Sequence, residues 1–435
     1  MIDTSSNWDK DETYRSEGHL SIANVPHLFD EEEEFARVKG LTEIQLSEVD
    51  SNWSWKDVIS IIPMSDAWDN KPILRPRSSI HRHEYMISSS ADEVYQALCH
   101  AIDHFEMMRS IAVVKSPREE SHTLSNGVPF ANTWFAILKQ STLSLIEKLI
   151  TTIEVDSIER DMNTAFQDDY HDGTRVQSPG WLVHFTIVKS SKEPKRCGLL
   201  YQIHHAIFDM TSISLFLDVV EDHLNGNTAR KSTPSYGPYA FWRYTLPFSS
   251  QGQDSVDFNA KLLSGIAQTA GKAAMWPPKR AKGWMRGNDN GCDRSERTPL
   301  GPTGSKQKGL YNDNFAINVK GIQQLRVEHG LSPAKVVKGA QILFNVWKTG
   351  ATEAVFVGAE GGRMVKGVFP SSIDMLRVPG QVAEGSITRF SVPSRDEKVL
   401  DFLRRVQEDQ LLLSKYNPCH RGHVVAALSR KIETI

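Results

Sequence analysis

His204-His205-Ala206-Ile207-Phe208-Asp209 brings two adjacent imidazoles and a carboxylate into one short stretch. A neutral imidazole, with an unperturbed pKa of about 6.5, accepts a proton near neutral pH and suits general-base work. A nearby carboxylate can fix its surroundings, either by hydrogen bonding or by pairing with an arginine.

The flanking residues say how such groups are held. Gly198-Leu199-Leu200-Tyr201-Gln202-Ile203 is an apolar run suited to a strand, and residues 211–224 place Ile213, Phe216, Leu217, Val220 and Leu224 on one helical face. The histidine stretch therefore sits at a strand-to-helix turn. Side chains alternate across a strand, so His204 and His205 point to opposite sides if the extended geometry persists through the pair. Only one of them then faces a given substrate. Upstream, Trp181 to Val188 reads as a second strand, and the polar turn Ser190 to Lys195 makes it the hairpin partner of the histidine strand. A helix from Ala91 to about Met108 carries the stripe Val94, Leu98, Ile102 and Phe105, followed by a strand at Ile111 to Val114, and Val58 to Ile62 forms an apolar run into Pro63.

This pattern resembles the His-His-x-x-x-Asp motif of nonribosomal peptide synthetase condensation domains, members of the chloramphenicol acetyltransferase-like, thioester-dependent acyltransferase superfamily. Other segments resemble the family in the same order. Phe105-Glu106-Met107-Met108-Arg109-Ser110 resembles the family's "LRT" turn, and Leu331-Ser332-Pro333-Ala334 opens an apolar helix through Trp347. Ala354 to Gly358, followed by Gly361-Gly362-Arg363, resembles the strand and "SGR" turn of the second lobe, and residues 401–412 resemble the helix after it. The similarity spans residues 50 to 423.

The resemblance implies an α/β fold of two chloramphenicol acetyltransferase-like lobes, a V-shaped pseudo-dimer with a central tunnel. His205 then acts as the general base or positions the acceptor, and His204 faces the protein and holds the turn. Asp209 forms a structural salt bridge with an arginine, for which Arg109 is the candidate, and Met210, Ser212, Gly362 and Arg363 fall in the tunnel or oxyanion region. The donor is a phosphopantetheine thioester on an acyl or peptidyl carrier protein domain. The acceptor is a small-molecule amine or hydroxyl, and no cofactor is bound permanently. A soluble acyl-CoA donor is the alternative within the superfamily. Three departures motivate a further alternative, a catalytically degenerate binding domain: Met210 stands where the family commonly has Gly, Glu384 where it has Asn, and the chain reaches only Ile435, so a shortened second lobe is expected.

Composition narrows the classes. The chain has 435 residues, 40% hydrophobic and 24% charged, enough for one large core or two moderate ones. A formal net charge of -3 argues against nucleic acid as a partner. No apolar run approaches the length of a membrane span, and Met1-Ile2-Asp3-Thr4-Ser5-Ser6 lacks a signal pattern, so a cytoplasmic location is expected. Cys99, Cys197, Cys292 and Cys419 lack paired spacing, which predicts reduced thiols. His100 and His104 have a zinc-compatible spacing without a third ligand, and no metal is expected there or at Cys419-His420-Arg421-Gly422-His423. The expected organisation is an acidic extension over 1–50 without periodicity, a first lobe over 51–230, and a second lobe over 231–435 with a long exposed loop at 283–308.

Overall fold

The computed structural model describes residues 32–64, 80–114, 133–139, 143–171, 176, 180–227, 233–246, 249–265, 321–363, 373–394, 396–416, 423–424 and 427–428. The chain divides into two compact units. The first joins residues 1–257 to 359–384 and 417–426, and the second comprises 258–358, 385–416 and 427–435.

The first unit is built on two four-stranded sheets. One has the order β1-β4-β3-β6, from β1 (Val58–Pro63), β3 (Ser110–Val114), β4 (Thr133–Leu138) and β6 (Gly180–Trp181), every pairing antiparallel. The other has the order β2-β8-β7-β5, from β2 (Ile80–Ile87), β5 (Ile150–Glu154), β7 (Val183–Lys189) and β8 (Cys197–His204). Here β8 pairs antiparallel with β2 and β7, and β5 runs parallel to β7.

The expected hairpin partner of the histidine strand is β7, but the apolar run from Trp181 to Val188 is not one strand. Trp181 pairs with Ile111 in the first sheet, whereas Val183 pairs with Ile203 in the second. The chain changes sheets at Leu182, whose carbonyl accepts from the His204 N–H at 2.8 Å. Residues buried on both faces carry no alternation that would reveal such a crossing.

Helices cover both faces of the second sheet. On one side lie α2 (Ala91–His104) and α5 (Met210–Leu224), with Phe216 against both Phe185 and Phe105. On the other, α4 (Ile158–His171) sets Met162 and Ala165 on Val188 and Leu200. The stripe Val94, Leu98, Ile102 and Phe105 is fully buried. The helix ends sooner than its stripe, at His104; Phe105 is extended, and Glu106–Arg109 forms a 3-10 turn. A Ser90 and Glu93 capping box fixes its start.

Residues 32–49 depart from the expectation of a loosely docked extension. They form α1 (Glu32–Val49), which buries Val38, Thr42 and Leu46 at spacings of four. The Gln45 side-chain amide pairs with both backbone groups of Val114, at 2.6 and 2.9 Å. Three inward positions among many charges leave little periodic signal in the sequence. The boundary expected near residue 230 also shifts, because α6 (Gly237–Thr245) buries Tyr239, Ala240 and Trp242 in the first unit's core. The loop expected at 283–308 and the Cys419 to Gly422 stretch lie outside the described residues.

The second unit has its own small core. α9 (Pro333–Thr349) packs on α10 (Val399–Tyr416), and Gly339 lets them approach, since a Cβ there would overlap Leu403. Gln407 reaches back to the N–H of Ser332 and the carbonyl of Gly330, bracing the turn that opens α9. Two further strands, β9 (Glu353–Gly361) and β10 (Ala383–Ser391), pair with each other, and Glu384 falls in β10. Among the described residues no helix is long and apolar enough to cross a membrane.

Candidate functional site

β8 ends at His204, and a turn closed by the Ile207 N–H on the His204 carbonyl carries the chain into α5. The strand's alternation still governs the pair. His204 is 1% exposed, while His205 is half-buried with its ring 4.8 Å from that of His81. His81 pairs in register with Ile203, two residues before His205, so the two rings share one face of the sheet.

The rings are held in opposite senses. Nδ1 of His204 accepts from the Ala206 N–H at 3.0 Å, so the proton of this neutral ring sits on Nε2. Burial pushes its pKa down to about 3, with the neighbouring His205 and His81 adding to the effect. His204 is a brace for the turn and not a base at neutral pH. Nδ1 of His205 instead lies 3.0 Å from two oxygens, the Phe208 carbonyl and Oε1 of Gln381. A ring nitrogen between two acceptors must donate, which leaves Nε2 of His205 as the basic position. Burial also lowers the pKa of His81, helped by His205 and His83, so its ring stays neutral to lower pH.

A pH dependence of stability follows from His204. The unfolded chain protonates this ring below about 6.5, whereas the folded chain resists until about 3. The stability that depends on a neutral His204 is complete above pH 6.5 and declines as the pH falls from there toward 3. Asn offers an acceptor near the place of Nδ1 without titrating. Denaturation midpoints of His204→Asn are expected to fall less between pH 6.5 and 4 than those of the parent; parallel curves would count against this assignment.

Asp209 caps α5 and is 3% exposed. One oxygen accepts from the N–H and hydroxyl of Ser212, each at 2.9 Å, and from a guanidinium nitrogen of Arg363 at 2.9 Å. The other accepts from the second terminal nitrogen of Arg363 and from the N–H groups of Val382 and Ala383, at 3.2 and 3.1 Å. Six donors fill the carboxylate, so it is structural and not a proton carrier.

Its arginine is Arg363 and not Arg109. Arg109 is buried in the 3-10 turn, where its guanidinium donates to the Leu138 carbonyl at 2.8 Å, and burial lowers its pKa. Both arginines follow family-like turns, and one-dimensional order could not choose between them. Ser212, Gly362 and Arg363, expected in the tunnel or oxyanion region, engage polar groups with the segment that holds Asp209. The Ser212 hydroxyl lies 2.8 Å from both backbone groups of Gly380, Gly362 donates to Val382 at 3.0 Å, and the Arg363 terminal nitrogens serve Asp209, Ser212 and Val378. Met210 is the first residue of α5 and 63% exposed. Its helical backbone does not need the freedom of glycine.

Sequence reading missed two participants, His81 and Gln381. The alternation His81, His83, Tyr85 on β2 was an available signal, since these side chains share a face with Tyr201. Gln381 had none. It sits on a segment pinned by Tyr236, whose hydroxyl donates to the Gln381 carbonyl at 3.0 Å, and by Tyr239, which donates to Val382 at 3.3 Å. Gly380 makes the approach possible, with φ 136° and a position where a Cβ would overlap the Tyr236 ring. Gly380→Ala is expected to cost about 1–3 kcal/mol. Denaturant unfolding measures this, and an unchanged midpoint would show that the segment can move aside. Among the described residues no three His, Cys, Asp or Glu side chains gather as a metal site.

No family model and no curated protein matches the sequence. Solved structures do. The first condensation domain of the calcium-dependent antibiotic synthetase, in complex with substrate analogue 2a, matches with a TM-score of 0.55 at 14% identity, over 85% of this chain and 78% of that one. The condensation domain from Monacolin K polyketide synthase MokA matches with a TM-score of 0.56 at 12% identity, over 86% and 77%. The structure described as holo T3CT matches with a TM-score of 0.58 at 15% identity, over 87% and 73%. The chain therefore has the mixed α/β fold of condensation domains, with two chloramphenicol acetyltransferase-like lobes.

Proposed function

We propose that the protein is a condensation-type acyltransferase, moving an acyl or aminoacyl group from a phosphopantetheine thioester to an amine or hydroxyl. The observation that carries this reading is the orientation of His205, with Nδ1 donating and Nε2 left to take a proton. The acceptor's lone pair attacks the thioester carbonyl carbon, and Nε2 takes the proton that the attacking nitrogen or oxygen gives up. The tetrahedral adduct then collapses, the carbon–sulfur bond breaks, and the departing thiolate takes that proton from the imidazolium. The acyl group has moved from sulfur to nitrogen or oxygen, and a thiol is released. His204 and Asp209 do not react; they hold the turn that presents His205.

The donor is carried by an acyl or peptidyl carrier protein domain, and the acceptor is a small molecule. The reaction needs no resident cofactor. The fold of synthetase condensation domains supports this donor over free acyl-CoA. The purified protein is to be incubated with acyl-carrier thioester or with acyl-CoA, each with a panel of amines and alcohols, and the products weighed by mass spectrometry. Turnover with the loaded carrier alone is expected. Turnover with acyl-CoA would replace the donor, and binding without turnover in every combination would replace the reaction with a binding role.

A further inference from the structure

The geometry points to Gln381 as the positioning residue that, together with the Phe208 carbonyl, holds His205 as its Nδ1–H tautomer and keeps the ring in place for proton transfer. This inference rests on the acyltransferase reading for its consequence, but the tautomer can be observed without turnover.

The amide's orientation is settled at both ends. The Phe208 carbonyl, 3.0 Å from Nδ1, can only accept, so Nδ1 carries the proton whichever way the amide is turned. The amide atom 3.0 Å from the same nitrogen must then be its oxygen, because an NH2 group there would oppose the N–H. At the far end the amide nitrogen donates to the Ala383 carbonyl at 3.0 Å, as that orientation requires. Gln381 is 7% exposed, and its backbone is tied to Tyr236. Ala383, which receives the amide, itself donates to Asp209. The buried Asp209 and Arg363 pair thus reaches His205 through Gln381.

The side chain that meets Nδ1 from Gln381 is a neutral amide. A carboxylate in its place would stabilise the imidazolium and raise the pH at which the ring protonates.

The test uses the full chain labelled with [15N]histidine, with the His205 resonances assigned by their loss in His205→Ala. In the parent, Nδ1 of His205 is expected to show the shift of a protonated ring nitrogen and Nε2 that of an unprotonated one. Gln381→Leu leaves the Phe208 carbonyl as an acceptor at Nδ1 and is expected to weaken the preference for the Nδ1–H tautomer, seen as a shift of both ring-nitrogen resonances toward their tautomer average, and to slow acyl transfer about tenfold. Gln381→Glu keeps an acceptor and adds charge; it is expected to retain the tautomer, raise the pH at which His205 titrates, and move the acid limb of the kcat/KM profile to higher pH. Gln381→Glu also serves if the Leu variant does not fold. An unaltered tautomer and titration in the folded variants would overturn the role of Gln381, whatever the protein's activity. The expected resonances in a protein without transferase activity would uphold Gln381 as the tautomer's keeper and sink the acyltransferase reading instead.

Discussion

Replacing His205 with alanine is expected to lower acyl transfer by about 10²–10⁴-fold while the protein remains folded, the range that a positioned general base contributes. The expectation of intact folding has a structural basis. His205 is half-buried in a turn, and the groups that hold this turn belong to other residues: His204 through Ala206, and Asp209 through the first turn of α5. Initial rates with the thioester donor, alongside a thermal melt, measure both sides. The loss should lie in kcat, because the proton moves only as the new bond forms. Unchanged turnover in a variant that melts like the parent would remove His205 from the chemistry.

The second large effect concerns stability. Asp209→Ala is expected to destabilise the protein by about 3–5 kcal/mol, the cost of leaving a buried partner's charge uncompensated. The charge left behind is that of Arg363, 5% exposed, and Val382, Ala383 and Ser212 lose an acceptor with it. A double-mutant cycle locates the partner. Asp209→Ala combined with Arg363→Met should cost clearly less than the two single changes summed, since the double variant strands no charge. Asp209→Ala with Arg109→Met should be closer to additive, because the guanidinium of Arg109 serves the Leu138 carbonyl. Coupling to Arg109 in place of Arg363, read from denaturant midpoints, would reverse the pairing given by the structure. A soluble and fully stable Asp209→Ala protein that lacked only activity would count against a structural role for the carboxylate.

Much of the first unit was legible as local pattern. The strand before the histidines and its hairpin partner read as apolar runs, the stripe on α2 and the apolar face of α5 repeat at the helical period, and the structure buries these residues apart from the half-buried Leu217 and Leu224 of α5. Where residues are apolar all round, or charges outnumber the inward positions, the pattern failed. The run through Leu182 passes between two sheets, and α1 docks through three residues spaced four apart.

The amino-acid sequence by itself determined that the two histidines face opposite sides, because alternation along a strand is a property of neighbouring residues. It also determined the strand-to-helix turn at the histidine stretch, since an apolar run ends at Ile203 and the helical face starts at Ile213. Only the tertiary structure decided that Arg363, 154 residues away, closes on Asp209, and that Gln381, 176 residues from His205, shares its Nδ1 with Phe208. A hydrogen bond acts over about 3 Å, and periodicity says which way a residue points but not which distant segment the fold brings within that reach. The protonation pattern of His205, and with it the nitrogen that is left basic, was therefore set by chain packing.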